Sequence, residues 1–127
     1  MEYKLEIYRK PIQAIRLGKK KVEIRTKNSY EAIQYDQLKI GDTIHFQIIA
    51  GPPFVGLEVV EPDALKVKVV AVRHYPDART LLEQEGLDVL STLCNSIEDG
   101  VILLNSFHEY QAMIPLHGIY AIEITFQ

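Results

Sequence analysis

The chain has 127 residues, 47% of them hydrophobic and 24% charged, with a net charge of −3. That length suits one domain around one core, residues 1–127, and the composition excludes a disordered chain. No apolar run approaches the roughly 20 residues that cross a bilayer, and a single cysteine, Cys94, excludes an internal disulfide and points to a reducing, cytoplasmic setting.

The chain opens on MEYKLEIYRK. Tyr3, Leu5 and Ile7 alternate with Lys4, Glu6 and Tyr8, which predicts a strand and not a signal peptide. Pro11 suits the first position of a short helix, Ile12 and Ile15 give it a buried stripe, and Gly18 ends it. The next stretch, LGKKKVEIRT from Leu17 to Thr26, changes to period two. Val22 and Ile24 point one way, while Lys21, Glu23 and Arg25 point the other. This predicts a half-buried strand from Lys21 to about Thr26, with Lys20 at its entrance. Glu23 and Arg25 share a face and are close enough to pair. One reading is an exposed ion pair of roughly 0–1 kcal/mol; the other is a binding face.

Asn28 to Gln37 reads as a loop. Its Tyr30 and Tyr35 serve either as half-buried anchors or as rings that stack on a base. Gly41-Asp42 forms a turn into a strand from Thr43 to Ala50, with Ile44, Phe46 and Ile48 opposite His45 and Gln47. Gly51-Pro52-Pro53 ends it. Two strands follow, Val55–Val60 and Leu65–Arg73, separated by Glu61-Pro62-Asp63; the second is the most hydrophobic and belongs at the centre. Asp77 is an N-cap for a helix with Leu81 and Leu82 in its stripe. Gly86 breaks it, and LDVLSTL makes another short one. Ser96 to Asp99 resembles a capping box opening a helix to about Ala112, with Pro115 beyond its end. Tyr120, Ile122, Ile124 and Phe126 alternate in a closing strand.

Charge is divided along the chain. Residues 1–30 carry a net +6 and residues 31–127 a net −9. A basic face built from the first segment suits phosphate.

The motif GKKKVEIR fits Gly-x-Lys-x-x-Glu-x-Arg, with Gly18, Lys20, Glu23 and Arg25 in place. With LKIGDTIHF (Leu38–Phe46), RHYPDARTLLEQEGL (Arg73–Leu87) and GIYAIEITF (Gly118–Phe126), the chain resembles the ASCH domain of the PUA-like superfamily over nearly its whole length. The resemblance implies an α/β (α+β) fold: a small mixed β-barrel of five or six strands with short flanking helices. Its cleft would lie between the Gly18–Arg25 strand and the helix carrying Glu85. It also implies recognition of RNA or a modified nucleoside. Gly18, Lys19, Lys20, Lys21 and Arg25 would meet phosphate or a base edge, and Glu23 would accept from an exocyclic amine.

Some small bacterial proteins similar to this domain deacetylate N4-acetylcytidine, using a lysine, a threonine and a glutamate. The lysine falls on Lys20 and the glutamate on Glu85, with Glu83 close by. The threonine falls on Glu23, a departure. A hydrolase would then use Glu23 as general base toward water, Lys20 at the oxyanion and Glu85 as proton shuttle. The glutamate at position 23 matches the general domain pattern better than the amidohydrolase pattern, which favours binding over catalysis. A ribonuclease is the weaker analogy, because no histidine pair supports it. His45, His74, His108 and His117 are scattered, so no metal is expected. The absence of a Gly-x-Gly-x-x-Gly or phosphate loop leaves no cofactor expected. A monomer is the default state.

Overall fold

The computed structural model describes residues 1–27, 35–49, 58–90 and 94–126, and within them all side chains except those at 10, 108 and 109. Among the described residues it is a mixed α+β fold of one five-stranded sheet and four helices. In chain order these are β1 (Glu2–Ile7), α1 (Arg9–Arg16), β2 (Val22–Arg25), β3 (Thr43–Ile49), β4 (Val59–Tyr75), α2 (Ala78–Glu85), α3 (Ile97–Asn105), α4 (His108–His117) and β5 (Ile119–Phe126). The sheet order is β1-β3-β4-β5-β2. Only β1–β3 is parallel; the other pairs are antiparallel.

Period-two alternation divides the side chains between two cores. Leu5, Ile44, Phe46, Val67, Val69, Ile122 and Ile124 meet Ile12 and Ile15 of α1 on one face. Ile24, Ile119 and Ala121 meet Leu81, Leu82, Leu104 and Ile114 of the other helices on the opposite face. β4 runs through the middle, as its apolar content predicts. It is one strand of 17 residues, where the sequence suggested a break at Glu61–Asp63. The break survives as a kink: Asp63 has φ 48°. Gln47 spans the kink, its Oε1 accepting from the Asp63 N–H at 3.0 Å and its Nε2 donating to Asp63 Oδ1 at 2.9 Å. Those bonds replace the ladder partners that the kink removes.

Asp77 caps α2, accepting from Thr80 N, and Ser96 caps α3, accepting from Asp99 N. The long helix expected from Ser96 to Ala112 is two helices. Ser106 Oγ donates to Leu103 O at 2.6 Å, offering the backbone a local partner where the first helix stops. Pro115, expected beyond a helix end, lies inside α4 near its C-terminus, where its missing N–H removes one i→i−4 hydrogen bond. α1 starts at Arg9, two residues before Pro11, whose absent N–H would have been unbonded in the first turn. LDVLSTL supplies a single 3-10 turn, Leu87–Val89, before reaching 91–93, outside the described residues. Tyr30, Gly51–Pro53 and the start of the Val55–Val60 strand also lie outside them.

The expected closed barrel is not formed by strand pairing. β1 and β2 are the outer strands, and the described residues show no pairing between them. The sheet is nevertheless strongly curled. Five flat strands would hold β1 and β2 about 19 Å apart, beyond an arginine's reach, yet Arg25 on β2 donates to Glu6 O on β1 at 2.8 Å. β2 has four residues, and its free edge is occupied by side chains instead of by β1.

Candidate functional site

The site begins at the turn after α1. Gly18 takes φ +73°, a conformation that suits a residue without Cβ, and the N–H groups of Lys19 and Lys20 both return to Ala14 O. This reversal aims the Lys20 side chain inward. Lys20 is only 6% exposed. Its Nζ donates to Val89 O at 2.9 Å and lies 4.0 Å from Glu23 Oε1. Where a cleft between β2 and the end of α2 was expected, the lysine side chain itself lies.

On β2, Lys21 O accepts from Ile124 N, so the residues that bond to β5 are Lys21, Glu23 and Arg25. Ile24 therefore turns its backbone polar groups to the free edge. Its N–H donates to Glu23 Oε1 at 3.2 Å, and its C=O accepts from the Tyr110 hydroxyl at 2.8 Å. Thr26, buried one step further, donates to Gly118 O at 2.8 Å.

Glu23 is 7% exposed, so the surface ion pair is not what forms here. Its Oε2 is buried without a hydrogen-bond partner among the described residues and sits 3.8 Å from an Arg25 nitrogen. A buried acceptor left in this state costs about 1–3 kcal/mol. Lys20, Glu23 and Arg25 are thus brought together, two cations flanking a carboxylate with one oxygen unused.

Glu85 belongs to a different cluster. Arg73 grips both its oxygens, Nε to Oε2 at 2.6 Å and the terminal nitrogen to Oε1 at 2.9 Å. The Tyr75 hydroxyl also donates to Oε2, and Arg73 reaches Glu123 Oε1 at 2.9 Å. The guanidinium holds the Glu85 carboxyl below its ordinary range against the opposing effect of burial. Burial, then the neighbouring Glu85, raises the Tyr75 phenol. Glu83 is exposed on α2. No bond joins either glutamate to Lys20 or Glu23 among the described residues.

Lys20 and Lys21, with Arg16 and Gly18, line an open depression of about 360 Å³ closed on its far side by Glu123 and Phe126. Lys19 and Lys21 are exposed, whereas Lys20 and Arg25 turn inward. The N-terminal excess of positive charge is therefore split between a surface and a buried site. Sequence reasoning missed Arg73, Glu123 and Tyr110. The first two are charges on adjacent strands, set diagonally across the ladder, Arg73 opposite Ala121 and Glu123 opposite Ala71; Tyr110 was not legible, because its contact spans 86 residues.

No protein-family model and no curated protein matches the chain. Solved structures do, and two of them match along essentially all of it. One is the crystal structure of hypothetical protein PH0355, 30% identical, with 100% of both chains covered and a TM-score of 0.76. The other is the solution structure of PF0455 from Pyrococcus furiosus, 32% identical, with 99% of this chain and 97% of that one covered and a TM-score of 0.68.

Proposed function

We propose, from the premise that this chain belongs to the same family as PH0355 and PF0455, that its β2 edge recognises a nucleobase, in RNA or as a modified nucleoside. The Glu23 Oε2 atom, buried with no hydrogen-bond partner among the described residues, carries this reading. A buried carboxylate oxygen beside the Arg25 guanidinium accepts one N–H donor, and the exocyclic nitrogen of a base, free or acylated, is such a donor. Arg25 and Lys20 supply donors for the acceptor atoms beside it. Lys19 and Lys21, beside the Gly18 turn, present exposed positive charge to the sugar-phosphate chain. The curl of the sheet, bridged by Arg25, supports a PUA-like reading of the architecture and the resemblance to the ASCH domain.

The second reading is deacetylation of N4-acetylcytidine. It draws on the Lys20 ammonium 4.0 Å from a Glu23 oxygen, with Glu23 as base toward water and Lys20 at the oxyanion. The Glu85 role fits it poorly. A carboxylate held by an arginine fork and a phenol has no lone proton to pass. Binding is therefore the reading preferred.

Calorimetry with N4-acetylcytidine and with cytidine tests both, using wild type, Glu23→Gln and Lys20→Ala. Binding by wild type that weakens about tenfold or more in Glu23→Gln supports recognition, the loss expected for a hydrogen bond to a charged group. Absence of binding to nucleosides and to RNA, or full affinity in Glu23→Gln, overturns it. Cytidine release that disappears in Lys20→Ala would make the second reading the right one.

A further inference from the structure

At one end of the same sheet face, three side chains stand in a row on adjacent strands. Arg25 pairs with Tyr120 across β2 and β5, and Tyr120 pairs with His74 across β5 and β4. The rings continue as a ladder. Tyr35, buried, lies 5.9 Å from Tyr120 at 37°, and His74 lies 4.6 Å from Tyr120 at 33°. Tyr35 is the inner end of this ladder. His74 is exposed and is the outer end.

The His74 ring is held in place. Its Nε2 is 2.8 Å from His117 O. A carbonyl only accepts, so Nε2 carries the hydrogen and Nδ1 is left as an acceptor. The following residue, Gly118, has φ +75°, and a Cβ there would come within 2.4 Å of His74 Nε2. The absence of a side chain at position 118 gives the imidazole its seat. Gly118 O also receives the Thr26 hydroxyl, so one short turn fixes both the ring and the end of β2.

We infer that the ligand is single-stranded RNA of at least two nucleotides, one base held at Glu23 and a neighbouring base stacked on the outer face of His74. This rests on the nucleobase reading of Glu23. β5 separates β2 from β4, so side chains on those strands stand on the order of 10 Å apart along the sheet. One base does not cover both positions, whereas adjacent splayed bases of a single strand do. Aromatic rings, imidazole among them, are the usual platforms for such bases.

The test compares N4-acetylcytidine with a pentaribonucleotide carrying that base at its centre and adenosines on both sides. Each is titrated by calorimetry into wild type, Glu23→Gln, His74→Ala and His74→Phe. The expected result is a pentanucleotide at least tenfold tighter than the nucleoside in wild type. His74→Ala loses most of that advantage and leaves nucleoside affinity unchanged. His74→Phe, which keeps a ring and loses the bond to His117 O, restores the advantage. An advantage that persists in His74→Ala, or that Phe fails to restore, overturns the stacking role while Glu23-dependent nucleoside binding still stands. Nucleoside and pentanucleotide binding both insensitive to Glu23→Gln, or no binding of either, removes the reading beneath it.

Discussion

Two glutamates of this protein sit among cations in low-exposure surroundings, and they are treated oppositely. Glu85 spends both oxygens on an arginine fork and a tyrosine hydroxyl. Glu23 spends Oε1 on its own neighbour's N–H, with the Lys20 ammonium 4.0 Å from that oxygen, and leaves Oε2 without a hydrogen bond among the described residues, 3.8 Å from an Arg25 nitrogen. A fully satisfied buried network fixes structure; a partly satisfied one carries an energetic penalty that something else must offset. The cluster on α2 therefore reads as a clamp between helix and sheet. The cluster on β2 reads as a place prepared for a ligand.

Breaking the clamp has the largest expected effect. Arg73→Ala leaves Glu85, with a side chain 8% exposed, facing a single hydroxyl, and should lower stability by about 3 kcal/mol in urea unfolding. That is the low end for a broken buried pair, because the Arg73 side chain is itself 36% exposed. The β2 cluster should answer differently. Glu23→Gln keeps an oxygen for the Ile24 N–H, so unfolding free energy should move by less than about 1 kcal/mol while nucleoside affinity falls by about tenfold. If stability falls as far as in Arg73→Ala, the contrast between the two glutamates is gone.

Acid sharpens the same contrast. The Glu85 carboxyl titrates lower in the fold than its ordinary value of 4.5. Its contribution to stability is therefore complete above that value and is lost as pH falls through the lower folded value. Stability measured from pH 6 downward should drop more steeply in wild type than in Glu85→Gln, with the two curves converging at the acid end. The smallest effect belongs to the edge cap. Tyr110→Phe removes the donor to Ile24 O and should cost about 1 kcal/mol in thermal unfolding. A markedly larger loss would mean that the edge contributes more to the fold than the clamp comparison allows.

Much of this was readable in the sequence because it depends on local periodicity. The faces of β2, the stop at Gly18, the caps at Asp77 and Ser96, and the central position of β4 all follow from residues a few positions apart. The kink at Asp63 was read as a gap, because its repair comes from Gln47, 16 residues away. The closing of the sheet was overestimated because a four-residue strand and a curled sheet have the same local pattern as a barrel strand. Glu23 and Arg25 were read as neighbours, which they are. Their burial was not legible, since it depends on β1, the turn after α2 and Tyr110 converging on one edge. Glu85 was drawn toward Lys20 by the resemblance to the amidohydrolases; Arg73 and Tyr75, on the strand before it, hold it elsewhere.

The bridge from Arg25 to Glu6 O also bears on how the outer strands of the sheet meet other molecules. An outer strand with bare N–H and C=O groups is a template for a strand of another molecule. Here Arg25 takes a carbonyl on one outer strand, while Glu23 and Tyr110 take the N–H and C=O of Ile24 on the other. Two of these three guards are also the groups proposed to hold the ligand. A molecule that draws Glu23 or Arg25 away must cover the edge it uncovers, so occupancy of the site and resistance to self-association are governed by the same few atoms.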